Sequence, residues 1–312
     1  MKTFISAAAL AFCISCAEPP EMIQVQKSSG DAQVEVGDIE PGGVVPKPAD
    51  PIAQTPLPAP VPTPVVTPTP STPMTPVPAP APTPTPVVVD KPFNPCPAKG
   101  TSCIIMPFGD SITAGAGSKN AGGYREPLFH LAVQANQNIT FVGPGNGGPE
   151  MVDGKMFPKA NAGYSGYTIE KSERAGIAEK AEELLKQYKP HIVTLMIGTN
   201  DVSINNDLVN APKRLAKLVD LILTTSPNTL LVLAQIVPSK DANFNKKVEA
   251  YNLEIAALVK TRADAKKHII MVDQYASLAG KDNVLADNLH PNEAGYVLMA
   301  DTWYKGLKSY FP

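Results

Sequence analysis

From Cys96 onward, continuous apolar runs alternate with segments of helical periodicity, and this alternation is the strongest constraint on the fold. Strands that are apolar on both faces and separated by helices indicate a parallel sheet covered on both sides. Because parallel crossovers are right-handed, we predict an α/β fold: a three-layer α/β/α sandwich with a central parallel sheet of about five strands. The five apolar runs are residues 104–108, 139–143, 192–197, 230–237 and 269–272.

The segments between these runs predict helices. The helix predicted at 207–224 is the clearest, because its apolar residues recur at helical spacing. The connection 144–168 is rich in glycine and lacks an apolar period, so we expect a long loop, which in a compact domain usually serves function. The five helical segments are residues 125–135, 169–188, 207–224, 243–266 and 291–310.

The first predicted strand ends in Gly109-Asp110-Ser111, where a helix could start. Open α/β sheets bind ligands at the carboxyl ends of their strands, so a hydroxyl there is well placed for chemistry. Serine becomes a nucleophile when a base reaches it. The alternative is that Asp110 and Ser111 only cap the following turn, and this segment alone does not decide between the two.

A base for Ser111 can come from only one of the four histidines. His290 alone follows the last predicted strand, whereas His191 and His268 open strands at the amino end and His130 lies on a predicted helix. Asp287, three residues before His290, could fix the tautomer of the imidazole. The alternative for this segment is helix capping before Pro291. We predict Ser111 as nucleophile, His290 as base and Asp287 as its carboxylate partner.

Acyl transfer also needs donors for the oxyanion. The strand predicted at 192–197 ends in Gly198-Thr199-Asn200-Asp201, which puts the Asn200 amide at the same edge of the sheet. The long loop offers the backbone N–H of Gly166. We predict that Asn200, Gly166 and the N–H of Ser111 itself form the oxyanion hole.

These segments resemble the SGNH hydrolases, also called the GDSL family, over about residues 103–312. The first block of that family matches Gly109-Asp110-Ser111-Ile112-Thr113, with Ile112 where the family name has leucine. The third block matches 198–201, the fifth matches Asp287 and His290, and the glycine of the second block maps to Gly166. The resemblance implies a flavodoxin-like fold and the site roles given above.

Three further segments are similar to the carbohydrate-esterase branch, which includes acetyl xylan esterases. They are residues 122–125, 163–169 and 290–296. This resemblance implies removal of O-acetyl groups from sugars without a metal or other cofactor. Arg125 and Asp110 are then candidate substrate contacts, although Arg125 could equally serve a structural ion pair or stacking contact.

Two other functions remain open at this stage. One is a lysophospholipase- or thioesterase-type hydrolase of the same fold, acting on lipid esters. The other is a non-catalytic module that binds glycan, although a pure binder has no need of Ser111, His290 and Asp287 together. We expect an acetylated carbohydrate or another small ester as the partner, and a monomeric domain. The formal net charge of −2 argues against nucleic acid.

The start of the chain predicts export. Lys2 is followed by an apolar run at 4–14, which suits a signal peptide and is too short to span a bilayer. Ser15-Cys16-Ala17 resembles a lipoprotein box, so residues 1–16 form the predicted signal and Cys16 the predicted lipidation site. This anchor would be the only membrane contact. The alternative is ordinary cleavage near Ala17 and free secretion.

Residues 17–95 are predicted to be a disordered region that joins the export segment to a hydrolase domain at 96–312. Of the 34 prolines, 19 lie between Pro41 and Pro92, and proline removes the backbone donor that helices and sheets need. The stretch 41–92 is therefore predicted to be an extended stalk. In an oxidising compartment, Cys96 and Cys103 are predicted to form a disulfide.

Overall fold

A computed structural model describes residues 93–312 of the protein. The predicted signal peptide with Cys16 and the predicted stalk at 41–92 lie outside the described residues. Among the described residues, none of the helices is both long enough and apolar enough to cross a membrane.

The described residues contain nine strands. Seven form one sheet in the order β3-β6-β1-β7-β8-β9, with β2 beside β1, and β4 and β5 form a separate hairpin. The strands are β1 Cys103–Gly109, β2 Ile139–Phe141, β3 Gly145–Asn146, β4 Met151–Val152, β5 Lys155–Met156, β6 Ala160–Gly163, β7 Ile192–Met196, β8 Leu230–Ala234 and β9 Ile269–Val272.

The first strand, β1, lies at the centre of the sheet. It pairs in parallel with β7 along most of its length, ending at the pair Gly109 and Met196. On its other side, β2 pairs with the first half and β6 with the last two residues. The carboxyl ends of β1, β6 and β7 therefore meet at one edge, which is where the sequence predicted the site.

Eight helices complete the described residues and fall into two packed groups. In one group α8 contacts both α2 and α7, and in the other α5 contacts both α3 and α6. Every residue of β7 and β8 is buried, so the sheet is covered on both faces. The helices are α1 Ser111–Ala114, α2 Arg125–Gln134, α3 Ala178–Tyr188, α4 Thr199–Ser203, α5 Ala211–Thr225, α6 Ala242–Asp264, α7 Gln274–Leu278 and α8 Glu293–Leu307.

The predicted α/β/α architecture is confirmed, although the sheet has seven strands rather than about five, and two local corrections follow. The connection predicted as a loop at 144–168 contains four short strands, and β3 joins β6 in antiparallel fashion. The helix predicted from residue 169 begins only at Ala178. Residues 168–176 instead form a loop that is closed by a bridge between Thr168 and Gly176; we call this segment the 168–176 loop.

Two contacts hold the segment that precedes β1 against the domain. A disulfide joins Cys96 to Cys103, the first residue of β1. Phe93 stacks on His268 with the ring centroids 3.4 Å apart. Contacts of the folded domain therefore reach at least to residue 93, slightly before the boundary predicted at 96.

Candidate active site

Ser111 stands at the first position of α1, directly after β1. Asp110 caps this short helix, because its Oδ1 accepts the N–H of Ile112 at 3.0 Å. Glycine is needed at 109, since a Cβ there would lie 2.2 Å from the carbonyl oxygen of Met196. This tight join between β1 and β7 presents Ser111 at the carboxyl edge with 9% of its surface exposed.

Asp110 was predicted as a candidate substrate contact, and the structure places it elsewhere. The residue is fully buried beneath the site. Burial raises the pKa of its carboxyl to about 6, against the lowering effect of the Ile112 N–H. The capping interpretation therefore accounts for Asp110, while Ser111 keeps 9% of its surface exposed.

His290 and Asp287 lie in a tight loop before α8. The bridge between Leu285 and Pro291 closes this loop, and the N–H of Ala286 donates to the carbonyl oxygen of His290 at 2.8 Å. Helix α8 is capped by Asn292, whose Oδ1 accepts the N–H of Gly295. Capping of α8 is thus done by Asn292 and leaves Asp287 free for another partner.

Ser111, His290 and Asp287 form a continuous hydrogen-bonded relay. Ser111 Oγ lies 2.8 Å from His290 Nε2, and His290 Nδ1 lies 2.8 Å from Asp287 Oδ2. The structure thus brings together residues that are 179 positions apart in sequence. This is the geometry in which an imidazole can accept the proton of a serine hydroxyl while a carboxylate fixes its tautomer.

Asp287 is held in its ionised form. Partial burial raises its pKa, but hydrogen bonds from the backbone N–H and ring of His290 and from the N–H of Leu289 outweigh burial and lower the pKa to about 2. Both backbone N–H groups donate to Oδ1 at 2.7 Å. The other oxygen, Oδ2, is left for the imidazole.

A side chain of α8 joins the two halves of the relay. The hydroxyl of Tyr296 lies within hydrogen-bond distance of two carbonyl oxygens around α1. It is 2.6 Å from Ala116 O and 3.2 Å from Ile112 O. Tyr296 is buried. It therefore fixes the helix that follows His290 against the helix that carries Ser111.

Gly166 lies in a four-residue turn next to Ser111. The N–H of Tyr167 donates to Tyr164 O at 3.2 Å, and the N–H of Tyr164 donates to Gly109 O at 2.9 Å, so the turn sits beside the end of β1. Gly166, third in the turn, has a φ of +79°, the value that a type II turn requires and glycine supplies. We call residues 164–167 the glycine turn.

Asn200 reaches this turn from α4, directly after β7. Its Nδ2 donates to Tyr167 O at 2.9 Å, and its Oδ1 accepts a hydrogen bond from Arg174 at 3.0 Å. Because Nδ2 carries two hydrogens, Asn200 keeps a second N–H that can donate to another group. Among residues 93–312, neither the N–H of Ser111 nor that of Gly166 donates to another protein group.

Arg125 was the other candidate substrate contact, and it lies in the protein interior. It is 0% exposed, and its guanidinium donates to five backbone carbonyl oxygens. No carboxylate pairs with it among the described residues. Arg125 thus has a structural role, but through carbonyls rather than through the ion pair or stacking that the sequence suggested. The carbonyls belong to Thr113, Ala114, Ala121, Gly147 and Lys159.

The remaining histidines lie away from this relay. His130 pairs with Asp153, the ring of His191 accepts the N–H of Ile104 at the amino end of the sheet, and His268 stacks on Phe93. Within residues 93–312, no group of three or more His, Cys, Asp or Glu side chains is arranged to hold a metal ion.

Comparison with known proteins assigns the chain to a family. A family model described as the GDSL-like lipase/acylhydrolase family matches residues 108–298, a range that contains Ser111, Gly166, Asn200, Asp287 and His290. The chain belongs to this family. The predicted GDSL resemblance is therefore confirmed.

Among similar proteins, a multidomain esterase of Ruminococcus flavefaciens is 34% identical over 232 residues, covering 66% of this chain and 28% of that protein. A second relative, from Acetivibrio thermocellus, is 33% identical over 130 residues, covering 41% of this chain and 55% of its own length. The chain thus spans about a quarter to a half of the length of these relatives.

Solved structures agree with the fold. A Clostridium thermocellum family 3 carbohydrate esterase superposes with a TM-score of 0.57 at 33% identity, covering 66% of this chain and 94% of that one. A carbohydrate esterase family 3 protein from Talaromyces cellulolyticus gives a TM-score of 0.56 at 22% identity, with 66% and 96% covered.

Proposed function

We propose that this protein is a serine esterase that removes O-acetyl groups from carbohydrate. The observation that carries the proposal is the relay from Ser111 through His290 to Asp287, with both bonds at 2.8 Å. The similarity to a family 3 carbohydrate esterase supports carbohydrate as the substrate class.

In the proposed reaction, His290 Nε2 takes the proton of Ser111 as Oγ attacks the acetyl carbonyl carbon. The resulting oxyanion accepts hydrogen bonds from the N–H groups of Ser111 and Gly166 and from the spare N–H of Asn200. The ionised Asp287 stabilises the imidazolium that forms.

The tetrahedral intermediate then collapses, and His290 gives its proton to the departing sugar hydroxyl. The acetyl group stays on Ser111 as an ester. Water, deprotonated by His290, attacks that ester through a second tetrahedral intermediate, and acetate leaves as the proton returns to Ser111 Oγ.

An aromatic surface beside Gly166 fits carbohydrate as the substrate class. The half-buried rings of Tyr164 and Tyr167, 5.1 Å apart, flank Gly166 and offer an aromatic surface on which a sugar can pack.

The test is acetate release from acetylated xylan and acetylated peptidoglycan, set beside release of long-chain acids from p-nitrophenyl esters. We expect wild-type protein to release acetate from at least one glycan and the Ser111→Ala variant to release none. Faster turnover of long-chain esters would favour the lipid-ester alternative. Equal rates for wild type and Ser111→Ala would favour a binding module.

We also propose export, with Cys16 as the lipid anchor and residues 41–92 as a stalk that holds the enzyme away from the membrane. The disulfide between Cys96 and Cys103 suits an oxidising compartment. Cys16→Ser should move the protein from the membrane fraction to the soluble exported fraction. Unchanged partitioning would refute the anchor.

A further inference from the structure

An exposed arginine donates a hydrogen bond to the side-chain oxygen of Asn200, the proposed oxyanion donor. Arg174 lies in the 168–176 loop, and its Nη1 donates to Asn200 Oδ1 at 3.0 Å. None of the ion pairs found in residues 93–312 includes Arg174. Its positive charge is therefore directed at the amide oxygen of Asn200 rather than neutralised by a carboxylate.

The 168–176 loop is fixed firmly enough to place that charge. The N–H of Thr168 donates to Ala175 O at 3.0 Å, which closes the loop. The N–H of Ile169 donates to Asp201 Oδ2, also at 3.0 Å. Because Asp201 follows Asn200 directly in α4, the base of the loop and the oxyanion donor are tied to the same turn of helix.

Two hydrogen bonds together determine how the Asn200 amide is oriented. Arg174 can only donate, so the atom that it meets must be the oxygen, and Tyr167 O can only accept, so the atom that it meets must be Nδ2. A flipped amide would lose both bonds. Hydrogen bonds from a charged donor are stronger than neutral ones. A positive charge beside the amide oxygen polarises the amide, so that its N–H becomes a better donor.

We propose that Arg174 is a positioning residue for the oxyanion site. It holds the spare N–H of Asn200 toward the tetrahedral oxygen and strengthens that donor, without touching the substrate. This inference rests on the proposed esterase function. Because the effect arises only in the transition state, removing Arg174 should lower kcat and leave KM nearly unchanged.

A double-mutant cycle on the full-length protein tests whether Arg174 acts through Asn200, with p-nitrophenyl acetate as the probe. We expect Arg174→Gln to lower kcat about tenfold, less than the roughly 100-fold or greater loss expected for Asn200→Ala as an oxyanion donor. The double variant should be within about twofold of Asn200→Ala alone, since the partner is already gone. Arg174→Lys should recover part of the loss.

Lys171→Gln, which removes a positive charge from the same loop, is the matched control and should keep wild-type kcat. Multiplicative losses in the double variant would overturn the inference, because Arg174 would then act independently of Asn200. A raised KM with an intact kcat in Arg174→Gln would also overturn it and make Arg174 a substrate contact. Activity that persists in Ser111→Ala would instead refute the proposed function.

A measurement that does not need activity completes the test. In the ¹⁵N spectrum, the side-chain amide of Asn200 is identified by its loss in Asn200→Ala. We expect this signal to shift in Arg174→Gln and to stay in place in Lys171→Gln. An unmoved signal in Arg174→Gln would overturn the contact even if no ester is hydrolysed.

Discussion

Replacing Arg125 with methionine tests the structural role that the fold gives this buried cation. Three of its hydrogen bonds are 2.6–3.0 Å long and two are 3.3 Å. They tie Thr113 and Ala114, in α1 beside the nucleophile, to Gly147 and Lys159 in the long connection. Methionine fills similar space but donates nothing, so the carbonyls lose their donor.

The expected loss of stability follows from those carbonyls. Only Lys159 O accepts another backbone hydrogen bond among the described residues, from Gly147 N, so four carbonyls lose their donor. At about 1 kcal/mol for each, the loss is about 4 kcal/mol. Burial lowers the pKa of Arg125 to about 10, and removing a charge that is costly to bury offsets part of this, leaving about 3 kcal/mol. For a domain of this size, that lowers Tm by roughly 10 °C.

Thermal unfolding of wild type, Arg125→Met and Arg125→Lys provides the assay. The lysine variant should lie between the other two, because its ammonium can satisfy some of the carbonyls. Arg262→Met is the control, since Arg262 makes only a surface ion pair with Asp220, worth about 0–1 kcal/mol. A Tm within 2 °C of wild type, together with a raised KM for Arg125→Met, would refute this reasoning and restore Arg125 as a substrate contact.

Three further predictions follow from the pKa values and the domain edge. The buried Asp110 ionises with difficulty, so its contribution to stability falls as pH rises from about 4 to 6; Asp110→Asn should remove that dependence in unfolding free energies measured across this range. Asp287, with its lowered pKa, contributes stability that is present above about pH 4 and lost as pH falls toward 2. Acid unfolding of Asp287→Asn should lack this loss, and equal acid sensitivity of the variant and wild type would contradict the prediction. Deleting residues 1–92 should leave Tm unchanged, whereas deleting 1–95 removes the stacked Phe93 ring and should lower Tm by a few degrees; equal Tm values would mean that this contact adds nothing.

Long apolar runs made the sheet predictable. Strands β1, β2, β7, β8 and β9 fall on the five predicted runs, because a strand buried on both faces must be apolar at nearly every position. Strand β6 escaped detection, since Ala160–Gly163 has no β-branched or aromatic residue. Its pairing with β1 depends on tertiary contacts, which composition does not encode.

The residues of the relay were predictable because their types and order are tied to one chemistry. A serine after a buried strand and a histidine after the last strand have few other common explanations in combination. The roles of Arg125 and Arg174 were not predictable. Arg125 binds backbone carbonyls, which have no sequence signature, and Arg174 falls in a segment predicted as helix, where its contact with Asn200 could not be inferred.

Labelling with an organophosphonate ester tests the central claim most directly, because such a reagent reacts with a serine that an adjacent base activates. We predict that intact-mass analysis of the full-length protein shows a single adduct, that peptide mapping places it on Ser111, and that the His290→Ala variant labels far more slowly. Ester hydrolysis by a protein whose Ser111 stays unlabelled, or an adduct on another residue, would contradict the account.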